Sequence, residues 1–131
     1  MAGPIDPPDS HNVRVVKQVY DTLHDEGVEA GIELMLSEAH DDFEFRPYVA
    51  AGQVLRGAEE VRAFFREQLA AGTTLTLRPA SFEEHENEVV VKGSVRVARP
   101  AGGFSESQIT WTYRFREGRL EEAHWSPRQG S

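Results

Sequence analysis

Apolar side chains recur at steps of three and four from Val13 through Val16, Val19, Tyr20 and Leu23, a spacing that gathers them on one face of a helix. Asp9 or Ser10 can cap that helix by accepting from its free N–H groups and Gly27 stops it, so the pattern predicts a helix over 11–26. A second, shorter helix is expected over 28–39, with Ile32, Met35 and Leu36 on one side and Glu29, Glu33 and Glu38 mostly on the other. The period then changes. Phe43 and Phe45 alternate with Glu44 and Arg46, which describes a strand, and Pro47 ends it or places it at an edge. Gly57 opens a third helix over 58–71, whose Val61, Phe64, Phe65 and Leu69 form an aromatic-rich stripe closed by Gly72.

From Thr73 onward the chain reads as extended. Thr74 to Leu77 alternates, Pro79 interrupts the run, and Glu86-Asn87-Glu88 forms a hairpin turn into a strand over 89–98. A further turn at 100–103 leads to a long strand over 105–116. Ile109, Trp111, Tyr113 and Phe115 fall on one of its faces, and Gln108, Thr110, Thr112 and Arg114 on the other. Glu117-Gly118-Arg119 turns the chain back into 120–126. This order predicts an α+β fold: a cone of three N-terminal helices packed on a strongly curved, mixed but mostly antiparallel β-sheet. A sheet rolled round helices encloses an apolar space with one mouth, the usual place for a small-molecule pocket.

The length of 131 residues fits one domain over 11–127, with flexible segments at 1–10 and 128–131. Charge narrows the partners. The formal net charge is −8, and residues 1–72 carry 6 basic against 14 acidic side chains, which repels nucleic-acid phosphates and anionic lipid. With no cysteine there is neither a disulfide framework nor a thiolate metal site. No apolar run reaches the roughly 18 residues of a membrane span, and the Pro/Asp-rich start is unlike a signal peptide, so a cytoplasmic protein is expected.

Several strings carry a family resemblance: Asn12-Val13 with Val16 and Tyr20, Asp42-Phe43-Glu44-Phe45-Arg46-Pro47, Arg56-Gly57-Ala58-Glu59-Glu60-Val61-Arg62-Ala63-Phe64-Phe65, and Phe115-Arg116-Glu117-Gly118-Arg119-Leu120. Over about residues 11–127 the chain resembles the nuclear-transport-factor-2-like superfamily, and within it the SnoaL-like branch that includes polyketide cyclases and relatives of ketosteroid isomerase. The resemblance implies a pocket and a homodimer. It implies no particular reaction, because one scaffold serves enzymes, ligand binders and interaction modules.

Tyr20 is similar in place to the oxyanion-stabilising tyrosine of the isomerases; it either donates into the pocket or packs in the core. The carboxylate base of those enzymes would fall on Pro47 or Arg46, neither of which accepts a proton, and their second donor corresponds to Trp111. The Asp-Arg-Asp set of limonene-epoxide-hydrolase relatives also fails, since Arg96 is followed two residues on by Ala98. Alternation sends Arg46 to the far sheet face, where pairing with an acidic neighbour outweighs a role on a ligand anion. His40, expected in the loop joining the second helix to the first strand and nearer the pocket mouth, is a weak acid–base candidate beside Tyr20. Glu122 and His124 share a strand face two residues apart and can form a carboxylate–imidazole pair, expected on the outer face or at a dimer contact. The expected ligand-binding set is Tyr20, Phe65, Trp111, Tyr113 and Trp125, with no cofactor and no metal. Two function classes stay open. One is a cofactor-independent isomerase, lyase or cyclase acting on an apolar carbonyl compound; the other is a non-catalytic ligand-binding or dimerisation module.

Overall fold

The computed structural model describes residues 10–47 and 53–127. The terminal segments read from the sequence as flexible, and Asp9 as a helix cap, lie outside the described residues. Helix α1 spans His11–Glu26 and is capped by Ser10, whose hydroxyl accepts from the Val13 N–H. After Gly27 comes α2, Val28–Ser37. It stops two residues short of the sequence expectation because Ala39 pairs with Leu120, which makes it the first residue of strand β1, Ala39–Arg46. His40 is therefore in a strand and not in a loop. A two-residue strand β2, Leu55–Arg56, pairs antiparallel with β1 and leads into α3, Gly57–Ala70. At the start of α3, Glu59 and Glu60 complement the helix dipole, and the Glu60 carboxylate accepts from the Arg56 N–H.

Four strands complete the chain: β3, Thr74–His85; β4, Glu88–Ala98; β5, Phe104–Arg116; and β6, Arg119–Pro127. The sheet runs β2-β1-β6-β5-β4-β3 and is antiparallel throughout except for the parallel β1–β6 pair. It is an α+β fold with a mixed sheet curved over the helices. The β5–β6 turn uses Glu117 and Gly118 at φ 53° and 78°, the left-handed pair that a tight hairpin requires.

Pro79 does not end its strand. β3 is an edge, where a missing N–H is tolerated, and the ladder absorbs the proline as a register shift between Pro79 and Ser81. Gly93 lies opposite on β4, so close to the Arg78 carbonyl that any side chain there would collide with it. The bulge and the glycine let two backbones close together and help to bend the sheet. The concave side is then filled by α1, α2 and α3, through Val16, Val19, Ile32, Met35, Val61 and Phe65. On β4, β5 and β6, Val89, Val91, Ile109, Trp111, Tyr113, Ala123 and Trp125 are buried against them.

Candidate functional site

The helical period of α1 turns Tyr20 onto the sheet, and the strand period of β5 turns Trp111 and Tyr113 toward it. Tyr20 and Tyr113 are 5% and 2% exposed, and their hydroxyls meet at 2.7 Å. Around this pair the rings pack edge to face, as ring quadrupoles prefer. Tyr20 lies 5.4 Å from Trp111 and 5.9 Å from Phe82 between centroids, and Trp111 lies 6.4 Å from Trp125, its register partner on β6. Trp125 continues the cluster to Phe45 at 5.0 Å and Phe65 at 6.0 Å. The five residues expected to bind a ligand thus belong to one buried aromatic cluster. Phe82 joins it from β3; its partial burial on an edge strand hid it from a pattern argument.

Two polar atoms in this cluster have no partner. The indole nitrogens of Trp111 and Trp125 are both buried without a hydrogen bond, although the side chains are 0% and 6% exposed. The Trp125 N–H lies near enough to Tyr113 to favour its anion, without reaching a hydrogen bond of normal geometry. Burial raises both phenols well above the usual tyrosine range; at Tyr113 the neighbouring Tyr20 and Trp125 donors offset part of the rise. Both tyrosines are therefore neutral near pH 7 and serve as donors rather than bases. Trp111 looked in the sequence like the loss of a second donor, yet it brings an N–H of its own.

The cavity beside the cluster is small. At about 20 Å³, room for about one water, it is lined by Pro47, Phe64, Phe65, Ile109 and Trp125 among others. Of the expected ligand-binding set, only Phe65 and Trp125 reach it, while Tyr20, Trp111 and Tyr113 pack against one another. Hydrophobic spacing identifies which residues face inward, but how tightly their volumes interlock is a property of the packed core.

The acid–base candidates lie elsewhere. His40 bonds the Arg116 carbonyl at 2.7 Å, at the β5–β6 turn. That is six residues along β1 from Arg46, about 20 Å from the end where Pro47 lines the cavity, so the expectation that it sits near the mouth is corrected. Glu122 and His124 do not pair: the Glu122 carboxylate accepts from Arg114 across the strands at 2.7 Å, and His124 is exposed. Arg46 points away from the cluster and sits 3.9 Å from Glu44. Arg96 pairs with Glu106 at 3.3 Å and lies 4.4 Å over the Phe104 ring. Among the described residues no three His, Asp or Glu side chains gather as a metal site would need, and none of these residue types is buried.

These features match a known family. The model of the SnoaL-like domain matches residues 16–123, and the chain belongs to that family. A nuclear-transport-factor-2-like protein of unknown function from Burkholderia pseudomallei has the same fold, with a TM-score of 0.77 at 23% identity over 92% of each chain. TerC, co-crystallized with polyporic acid, is similar at TM-score 0.76 and 22% identity over 91% of this chain and 92% of TerC. A Mycobacterium tuberculosis protein in complex with estradiol-17β-hemisuccinate is similar at TM-score 0.71 and 20% identity, over 89% and 93% of the two chains. A search of curated proteins found no match. Among the described residues no helix is long and apolar enough to cross a membrane.

Proposed function

We propose that the interior of the cone is a binding site for an apolar compound bearing a carbonyl or similar acceptor oxygen. One observation carries this reading. Two phenols and two indole N–H groups are brought together in an otherwise apolar interior, and both indoles lack an acceptor. Each buried unsatisfied donor costs about 1–3 kcal/mol, a cost that a ligand oxygen placed among them removes. Two relatives of the same fold hold polyporic acid and estradiol-17β-hemisuccinate, which supports looking for a ligand of this kind.

The same donors would serve a cofactor-independent isomerase, lyase or cyclase by holding a developing oxyanion. Moving a proton between carbons also needs a base beside the substrate. The described carboxylates and imidazoles of β1 and β6 are engaged or exposed away from the cluster: Glu44 with Arg46 and Arg56, Glu122 with Arg114, and His40 with a backbone carbonyl. That placement favours ligand binding over proton transfer, and isomerisation of a β,γ-unsaturated ketosteroid is not expected.

The chain has two tryptophans and both lie in the cluster, so its intrinsic fluorescence reports on the site directly. Titration with polyporic acid, estradiol-17β-hemisuccinate and a panel of steroids and aromatic polyketides should give a saturable change with at least one compound. Tyr113→Phe should weaken that compound about tenfold, the effect of losing one hydrogen bond of about 1.4 kcal/mol. No saturable response across the panel, or binding indifferent to both Tyr20→Phe and Tyr113→Phe, would overturn the reading.

A further inference from the structure

The cavity beside the cluster holds about one water, far less than a ligand of several rings occupies, so a ligand of that size needs volume from an adjoining space. Between α2 and α3 lies a groove of about 340 Å³, floored by Ile32, Phe65, Leu69 and Ala70. Among the described residues lining the groove and the inner cavity, Phe65 alone is shared. Its ring is 4% exposed and stands edge-on to Phe45, Phe64 and Trp125 at 5.5, 5.3 and 6.0 Å. Phe65 thus stands between the cavity beside Trp125 and a space in the range that ligand pockets occupy.

We propose that Phe65 is the residue that sets the size of ligand this site accepts: turned aside, its ring joins the cavity to the α2–α3 groove. The inference rests on the interior being a ligand site. A ligand would then be elongated, with its oxygen toward Trp125, the member of the donor cluster that lines the cavity, and its body passing Phe65 into the groove. The groove fits a neutral body better than an ion. Arg62 is held on both oxygens of Glu33, at 2.7 and 3.0 Å, and on Glu59, outside the groove, at 2.9 Å; among the lining residues Glu29 and Glu33 balance Arg62 and Arg66.

Acrylamide quenching tests this without any ligand. In a Trp111→Phe background Trp125 is the only tryptophan, next to Phe65. Removing the Phe65 ring should raise the quenching constant of Trp125 about threefold, because the cavity it leaves is continuous with the groove. Refilling the groove by adding Ala70→Phe should reverse most of that rise. Phe65→Leu should give a smaller rise and supplies the same reading if Phe65→Ala does not fold. No rise in either folded variant, or a rise that Ala70→Phe leaves untouched, would overturn the proposal. Because quenching needs no bound compound, a failed ligand titration leaves this result standing. A failed quenching experiment likewise leaves the donor cluster unaffected.

Discussion

The two faces of strands β4, β5 and β6 are built from alternate residues of the same chain segments, yet they solve different problems. On the concave face Val89, Val91, Ile109, Trp111, Tyr113 and Trp125 are buried, and the polar atoms among them are neutral donors. On the convex face Val90, Thr112, Arg114 and Glu122 stand beside one another across the ladder, half-buried or exposed, and are held by ion pairs such as Arg114–Glu122. Burial makes a polar atom on the first face expensive to leave unpaired, and the proposed ligand site rests on that cost. The second face is half-buried or exposed in the single chain, so a charge there costs less and signals less. Candidate chemistry is therefore better sought among the few polar atoms inside than among the many outside.

Substitutions should separate the faces by the size of their effects. Trp111→Ala removes the most enclosed large side chain of the concave face and should cost about 3–5 kcal/mol in urea or guanidinium unfolding. A loss under about 1 kcal/mol would mean the interior relaxes easily and is not tightly packed. Tyr20→Phe strips Tyr113 of its buried partner and should cost about 1–3 kcal/mol.

The tyrosine pair also predicts a pH response. Both phenols titrate higher in the folded chain than in the unfolded one, so above about pH 10 the unfolded state releases protons that the folded state keeps. Stability present below that pH should fall as pH rises further, by up to about 1.4 kcal/mol per pH unit for each of the two. Denaturation curves between pH 9 and 11 should show a shallower decline for Tyr113→Phe than for the parent. Equal slopes would mean the pair is not held in a buried state.

On the convex face, Arg114→Ala should cost no more than about 1 kcal/mol even though it removes pairs to Glu121 and Glu122, because these groups are solvated. We also propose that this face, through Gln108, Thr110, Thr112, Val90 and Ser94, carries the homodimer implied by the family resemblance. Thr112→Asp should then shift light scattering toward monomer while changing the stability of the fold by about 0.5 kcal/mol or less. A parent protein that scatters as a monomer at micromolar concentration would refute the dimer.

The fold was legible because its two periods are clean. The 11–26 helix matches α1, and the alternation through Trp111 and Tyr113 assigns the inner face of β5. Strand β2 was missed because two residues carry no period, and its pairing with β1 is a tertiary event. Pro79 misled because a proline reads as a break unless the strand is known to be an edge. At the site, periodicity brought Tyr20, Trp111, Tyr113 and Trp125 inward. It did not reveal that Tyr20 and Tyr113 bond each other, that Trp111 is an unpaired donor, or that Arg114 takes Glu122 from His124. Each of those depends on which residue lies across a strand or a layer, information that single-chain spacing lacks.

NMR of the ¹⁵N-labelled chain reads the proposed acceptor binding at each indole donor individually, since two tryptophans give two indole cross-peaks. On saturation with the tightest compound from the fluorescence panel, both peaks should move downfield as the N–H groups gain an oxygen partner. Saturation that shifts resonances elsewhere while both indole peaks stay in place would contradict the account.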